Sequence, residues 1–308
     1  MHRLTPRIGI VAAGLAASAV ALAPADQARA ATPPPIVSST ASGGMMYAGN
    51  DLGNVVEVRL IQAGARYRID GNGPITAHAN CSPVSGDPTS VTCTAFRRPD
   101  GTLKEFHVLG RNGNDTISSF APATMVARGE GGKDNLSGGG GNDVLDGGLG
   151  DSDTLRGNGG GDVLDGGPGE HDGVTYSGRN SDQSVTLDGV ANDGDGTGAK
   201  ADNVLTSVED VVGGNGNDTI IGSDKDNVIV TGDGSDTVFA LRGADTVIGG
   251  RGPDLLSAND GFLNPIEDGA TDQMSGDGLL SDLDPAATDT CIVSKIDPDV
   301  TKFCEQQW

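Results

Sequence analysis

From Gly110 onward the chain repeats itself every nine residues, and this period constrains the fold more than any other feature. The unit reads G-G-x-G-x-D-x-U-x, with U a large aliphatic residue. It starts at Gly110, Ser119, Gly129, Gly138, Gly147, Gly157 and Gly166, and again at Gly213, Gly222, Thr231, Ala240 and Gly249. Single-residue insertions are placed at Arg128, between units, and at Ser152 and His171, inside units. The eighth position is aliphatic in twelve of twelve units: Ile117, Val126, Leu136, Leu145, Leu155, Leu164, Val174, Ile220, Ile229, Val238, Val247 and Leu256. The sixth is Asp in ten of twelve, with Thr124 and Asn227 the exceptions, and the fourth is Gly in ten of twelve, with Pro122 and Lys225 the exceptions. Asp makes up 36 of the 308 residues, so composition alone does not produce such a column.

One aliphatic side chain in nine cannot hold an isolated hairpin together. Stacked in a solenoid, the same side chains line one narrow core. The x-U-x segment is then a short strand, and the glycine-rich remainder is a turn through backbone angles that other residues resist. Two units make one coil, which predicts an all-β chain with two facing parallel sheets. Equivalent Asp residues recur in every second turn, about 4.8 Å apart. Carboxylates stacked that closely cannot all stay ionised without a counter-charge. A cation between them resolves the conflict, and an all-oxygen donor set favours Ca²⁺ over zinc, which would want Cys or His.

The stretches "GGGGNDVLDGG", "GRNGNDTIS" and "GGNGNDTII" resemble the hemolysin-type (RTX) calcium-binding repeat of secreted bacterial proteins. The resemblance covers about 110–175 and 213–257 and implies a parallel β-roll. It also implies that each ion is held by turn carbonyls and the sixth-position Asp of one turn, together with those of the next turn but one. Carried onto this sequence, the carboxylates are Asp115, Asp134, Asp143, Asp153, Asp162, Asp172, Asp218, Asp236, Asp245 and Asp254. The carbonyls come from Gly139, Gly141, Gly148, Gly150, Gly214, Gly216, Gly232 and Gly234. The implied pairs are Asp134 with Asp153, Asp143 with Asp162, Asp153 with Asp172, Asp218 with Asp236, and Asp236 with Asp254. Asp115 faces Asp134 across a degenerate unit, and Asn227 faces Asp245 in a weaker site. The strongest sites are expected around Asp143 and Asp162, whose units keep Gly141 and Gly160. The segment 176–214 resembles an insertion found among such proteins, and is expected to continue the roll as longer strands around Val185–Leu187 and Val208–Val212. Within it, "NDGDGTG" (192–198) begins like an EF-hand, but the twelfth position is Val204 rather than Glu, so it reads as a polar loop.

The rest of the chain sets boundaries. Residues 1–30 ("MHRLTPR", an apolar run, then "ARA") form a secretory signal pattern with cleavage expected after Ala30. Residues 31–45 read as a flexible lead, and 46–109 as a β-rich N-terminal region with strand-like runs at 55–61, 66–70, 90–95 and 105–110. Repeats fill 110–175 and 213–257, on either side of the insertion at 176–212, and 258–308 form a C-terminal cap. Four cysteines allow three pairings; short loops close readily, which favours Cys81 with Cys93 and Cys291 with Cys304. A net charge of −23 excludes nucleic acid as a partner, since phosphate binding needs clustered Lys and Arg. No segment beyond the signal is apolar enough to insert into a membrane. No HExxH or GxSxG occurs, and the four His residues do not cluster, so no enzyme is expected. The expected protein is thus a secreted, extracellular calcium binder whose repeats fold on Ca²⁺. The alternative is a structural or adhesive surface protein that calcium only stiffens. The sequence names no protein or cell-surface partner.

Overall fold

The computed structural model describes residues 34–40, 44–196 and 200–257, together with short strands at Gln273–Ser275, Thr290–Ile292, Val300–Lys302 and Gln306–Gln307. The expected signal segment and Cys304 lie outside the described residues. Apart from one 3₁₀ turn at Gln62–Gly64, every described element is a β-strand.

The nonapeptides alternate between two facing sheets. Strands Phe106–Asn112, Met125–Gly131, Val144–Leu149, Val163–Asp165 and Asn203–Val204 follow one another in parallel in the first sheet. The second sheet receives the intervening strands Thr116–Ser119, Asn135–Ser137, Thr154–Arg156 and Gly173–Thr175, then Asp210–Val212, Val228–Asp233 and Thr246–Arg251. The register places like on like: Leu136 lies beside Ile117 and Leu155, and Leu145 beside Leu164. These side chains are fully buried and form the single file of apolar groups expected from the period.

One assignment shifts. Val126 does not enter the core; its neighbours Met125 and Ala127 do, and Ala127 is the register partner of Leu145. The extra residue of that unit therefore lies at Ser119, not at Arg128. The degenerate "SSFAPATMVA" offers two aliphatics on opposite faces of one strand, and the deciding fact is tertiary: Met125 pairs with Phe106, Ala127 with Val108, and both partners are buried. The insertions at Ser152 and His171 take left-handed backbone angles, φ 65° and 60°, which lets each turn absorb one residue without moving its strand.

The roll begins before the repeats. Gly44–Ala48 joins the first sheet in parallel with Phe106–Asn112, and Val55–Ile61 joins the second beside Thr116–Ser119. Antiparallel strands then extend both sheets, Ile36–Thr40 on the first, where the short parallel strand Thr76–Ala77 forms the outer edge, and Arg66–Gly71, Asp87–Thr94 and Cys81–Val84 on the second. Ile36–Thr40 lies in the lead expected to be flexible; Val37 is buried there and pairs with Tyr47, which supplies the burial that the Pro/Ser-rich composition did not announce. A wider core fills this end, with Met45, Tyr47, Tyr67, Ile69, Val91 and Phe106 buried and the Tyr67 and Phe106 rings 5.3 Å apart. The disulfide Cys81–Cys93 joins register partners on the outermost pair.

Between the repeat blocks only one face of the roll is interrupted. The second sheet runs through unbroken, Val174 to Val211 to Ile229. On the other side the first sheet ends at Asn203–Val204, and a third sheet starts at Ser184–Thr186 and continues through Thr219–Ser223, Thr237–Leu241 and Leu255–Ser257. Two antiparallel bridges, Asp193 to Asp202 and Ser184 to Gly194, span the gap. The strands of this segment are two or three residues long rather than the longer ones expected, because the chain reverses within it.

Candidate metal centre

Each described turn that enters the second sheet places a polar residue two positions before the buried aliphatic. Reading along that edge, these residues are Asn54, Asp115, Asp134, Asp153, Asp172, Glu209, Asn227 and Asp245, all buried. Backbone and side chain link them. The N–H of Asn54 donates to Asp115 Oδ1 (2.5 Å), that of Asp115 to Asp134 Oδ1 (2.7 Å), that of Asp134 to Asp153 Oδ1 (2.7 Å), and that of Asp153 to Asp172 Oδ1 (2.9 Å). The N–H of Asp172 continues to Glu209 Oε2 (3.1 Å), and that of Asn227 to Asp245 Oδ1 (2.9 Å).

The opposite edge is built alike. The N–H of Met125 donates to Asp143 Oδ1 (2.7 Å), that of Asp143 to Asp162 Oδ1 (2.7 Å), and that of Asp162 to Asp202 Oδ1 (2.9 Å). Leading into the third sheet, Gln183 donates to Asp218 Oδ1 (2.8 Å), Asp218 to Asp236 Oδ1 (2.7 Å) and Asp236 to Asp254 Oδ1 (2.9 Å). All ten Asp residues named from the sequence thus fall on two edges, as neighbours in the order given above. Met125, not Thr124, stands in the sixth position of the degenerate unit, so Asp143 has one carboxylate neighbour where Asp153 has two.

Four rungs escaped the nonapeptide reading: Asn54, Gln183, Asp202 and Glu209. Each nevertheless carries the short signature polar-x-aliphatic, ending at Val56, Val185, Val204 and Val211, but Leu52, Ser181, Lys200 and Ser207 stand where most repeats carry the fourth-position glycine.

Anchoring one carboxylate oxygen leaves the other. The Oδ2 atoms of Asp115, Asp134, Asp153, Asp162 and Asp172 are buried and accept no hydrogen bond. Asp143 Oδ2 accepts from the Gly139 N–H and Asp218 Oδ2 from the Gly214 N–H, each at 2.7 Å. A buried, unpartnered carboxylate oxygen costs several kcal/mol in the ionised form, on the order of the penalties for uncompensated polar groups. Burial accordingly pushes Asp134 and Asp162 up to about 7, and Asp115, Asp143, Asp172 and Asp236 up to about 6. Asp153 and Asp218 are raised for the same reason.

The turn glycines crowd this space with carbonyls. The carbonyl oxygens of Gly148, Gly150, Gly214, Gly216, Gly232 and Gly234 lie directly under Gly167, Gly169, Gly232, Gly234, Gly250 and Gly252 of the following coil, so a side chain on the upper residue would strike them. Gly139 and Gly141 face Ala121 and Ala123 of the coil before. At Gly129 a Cβ would collide with both Asp134 Oδ2 and the Gly147 carbonyl. Only glycine lets backbone oxygens and a carboxylate converge there.

Among the described residues no three His, Cys, Asp or Glu side chains close around one point. The donors available per gap are two carboxylates and the turn carbonyls, an all-oxygen set suited to a hard divalent cation with a large coordination number. Asp193, in the described part of the 192–198 stretch, is not of this kind. Asp193 Oδ1 accepts from Thr186 N (2.7 Å) and Oδ2 from Val204 N (2.8 Å), so its carboxylate fastens the ends of the first and third sheets to each other. His171 lies in a turn beside Asp210, 3.4 Å away.

Two facing parallel sheets, joined by glycine turns that carry files of half-anchored carboxylates, define a parallel β-roll with cation-type edges. The RTX calcium-binding nonapeptide repeat matches this chain in four copies, over residues 126–152, 151–170, 212–247 and 239–261. The chain carries RTX calcium-binding repeats, a structural rather than catalytic type of unit. No curated protein matches it. Among the described residues no helix is long and apolar enough to cross a membrane.

Proposed function

We propose that this is a secreted, non-enzymatic protein whose Gly/Asp repeats complete their fold on binding Ca²⁺, with the two carboxylate files as the ligand rows. The observation that carries this reading is the set of Oδ2 atoms on Asp115, Asp134, Asp153, Asp162 and Asp172, buried and without a hydrogen-bond donor. Bound Ca²⁺ would supply the positive charge and the oxygen affinity that these atoms lack. The chain supplies the rest. Backbone N–H groups hold each Oδ1, which aims each Oδ2 into the gap between coils, and the turn glycines bring carbonyl oxygens to the same gap. Gly139, Gly141, Gly148, Gly150, Gly214, Gly216, Gly232 and Gly234 are the carbonyl donors of choice in this reading. Secretion rests on the N-terminal signal pattern of residues 1–30.

Far-ultraviolet circular dichroism of the mature chain tests the proposal. In EDTA the repeats should be largely disordered, because their composition and charge oppose folding. Millimolar Ca²⁺ should restore β-structure, and Mg²⁺ should do so poorly, since it prefers a small octahedral shell and retains its waters. A spectrum indifferent to EDTA would sink the proposal. Mapping the N-terminus of the exported protein to a residue far from Ala31 would refute the secretion step alone.

A further inference from the structure

We infer that side-chain nitrogens of this chain take the place of calcium at both ends of the Asp115–Asp172 row, so that metal-free rungs close it. The inference rests on the calcium reading above and adds where that reading stops.

At the N-terminal end stands Asn54, in the same position of its turn as the Asp residues that follow. Its amide nitrogen lies within hydrogen-bonding distance of four oxygens: Leu52 O (2.7 Å), Asp115 Oδ1 (2.7 Å), Gly110 O (3.1 Å) and Asn50 O (3.2 Å). Two are carbonyls of its own turn; the other two are a carbonyl and the carboxylate of the next coil. A hard cation between these coils would draw on such a set. Here an NH₂ group occupies it and shares two hydrogens among four acceptors. The amide orientation is fixed by chemistry, since the opposite one would set its oxygen against four acceptors. The amide oxygen meanwhile accepts from Asn50 N at 3.3 Å.

At the other end the sixth position is Glu209, whose side chain is 6% exposed. Its Oε2 accepts from the Asp172 N–H, and its Oε1 is paired with the Lys225 ammonium. Lys225 holds a fourth position, which is glycine in ten of the twelve units. Its stem reaches back one coil and brings a positive charge to the carboxylate that follows Asp172. The Asn227 amide adds a hydrogen bond to the Glu209 carbonyl (2.7 Å). A covalently attached cation thus stands where a diffusible one would otherwise be required.

These substitutions give the row a fixed length and a direction. The coil of Asn54 rests on the N-terminal core around Tyr47, Tyr67 and Phe106 and needs no metal. It therefore presents Asp115 as a preformed edge on which the first ion-dependent coil assembles.

The test combines amide hydrogen exchange in EDTA with calorimetric Ca²⁺ titration of the full chain. In the wild type, Val55–Val58 and Thr116–Ser119 should stay protected in EDTA while the later coils exchange. Asn54→Asp should speed exchange in those two strands at least tenfold in EDTA, regain protection in Ca²⁺, and bind one more ion per chain. Lys225→Gly, which restores a turn glycine and frees Glu209, should likewise add one ion, and it decides the matter if Asn54→Asp fails to fold. Unprotected Val55–Val58 in wild-type protein that still binds Ca²⁺, or unchanged ion counts in the variants, would overturn this inference and leave the calcium function standing. If the wild type takes up no Ca²⁺, the proposed function itself fails and this inference falls with it.

Discussion

Replacing Asp153 with Asn should cost the first block more calcium affinity than the same change at Asp143, although both remove one charge. Asp153 lies between Asp134 and Asp172 and borders two gaps; Asp143 borders one, because Met125 precedes it. The described residues of the first block offer five carboxylate pairs: Asp115/Asp134, Asp134/Asp153, Asp153/Asp172, Asp143/Asp162 and Asp162/Asp202. If the sites are equal and the free ion is tenfold above the dissociation constant, each contributes about 1.4 kcal/mol, or roughly 7 kcal/mol for the set. With three sites left, the same total requires about fivefold more calcium; with four left, about twofold. Asn is the replacement of choice because its amide oxygen can still accept the hydrogen bond from the Asp134 or Met125 N–H. Asp146→Asn is the control. That carboxylate points outward from the first sheet toward Arg128, 3.4 Å away, and belongs to neither edge. Calcium titration followed by circular dichroism gives the midpoints, and calorimetry gives the ion counts. Equal shifts for Asp153→Asn, Asp143→Asn and Asp146→Asn would show that bulk charge governs binding, and the assignment of ligands would have to be abandoned.

The buried carboxylates also fix a pH dependence of opposite sign with and without metal. Burial raises Asp115, Asp134, Asp143, Asp162 and Asp172 to about 6 or 7 in the metal-free fold, against about 4 in an unfolded chain. The folded state therefore holds more protons, so its stability is fully present below about pH 4 and is lost as pH rises through 6 to 7. In EDTA the roll should be more ordered at pH 4 than at pH 7.5, and a circular-dichroism comparison showing the reverse would refute the argument. Calcium binding should weaken below about pH 6, because protons compete for the same oxygens; calorimetric titration at pH 5 and 7.5 checks this. Breaking Cys81–Cys93 by serine substitution should destabilise the N-terminal end by about 3 kcal/mol, read by urea denaturation, with little change in ion count. Leu155→Ala should cost about 2–5 kcal/mol in calcium-saturated protein, since that side chain is fully buried between Leu136 and Val174.

Much of this arrangement is legible in the sequence, for a physical reason. A stacked coil needs the same residue types at the same places, so period, core and carboxylate files all read off one column. Legibility ends where tertiary contacts take over from the turn chemistry. Asn54 and Glu209 stand in the same files as the Asp residues, yet neither is Asp, and Leu52 and Ser207 stand where the repeats carry their fourth-position glycine. The unit between Ser119 and Arg128 has aliphatics on both faces of its strand, and burial against Phe106 and Val108 chooses between them. Ile36–Thr40 has a polar composition and becomes a strand because Gly44–Ala48 offers it an open edge. The reversal at Asp193 has no periodic sign at all; its carboxylate takes one backbone N–H from each of two sheets.

Because successive nonapeptides alternate between opposite faces, the roll has a parity. Duplicating one nine-residue unit would send every later strand to the wrong sheet and every later carboxylate to the wrong edge. Glu209 and Lys225 would stay in step with each other but leave the file of Asp115, and the antiparallel bridge at Asp193 would meet a strand that no longer ends there. The smallest length change such a chain tolerates is two units at once, a full coil of 18 or 19 residues by the spacing of Asp218 to Asp236 and of Asp134 to Asp153. Variants shortened or lengthened by whole coils should keep their junction intact, while those altered by a single repeat should lose everything on the C-terminal side of the change.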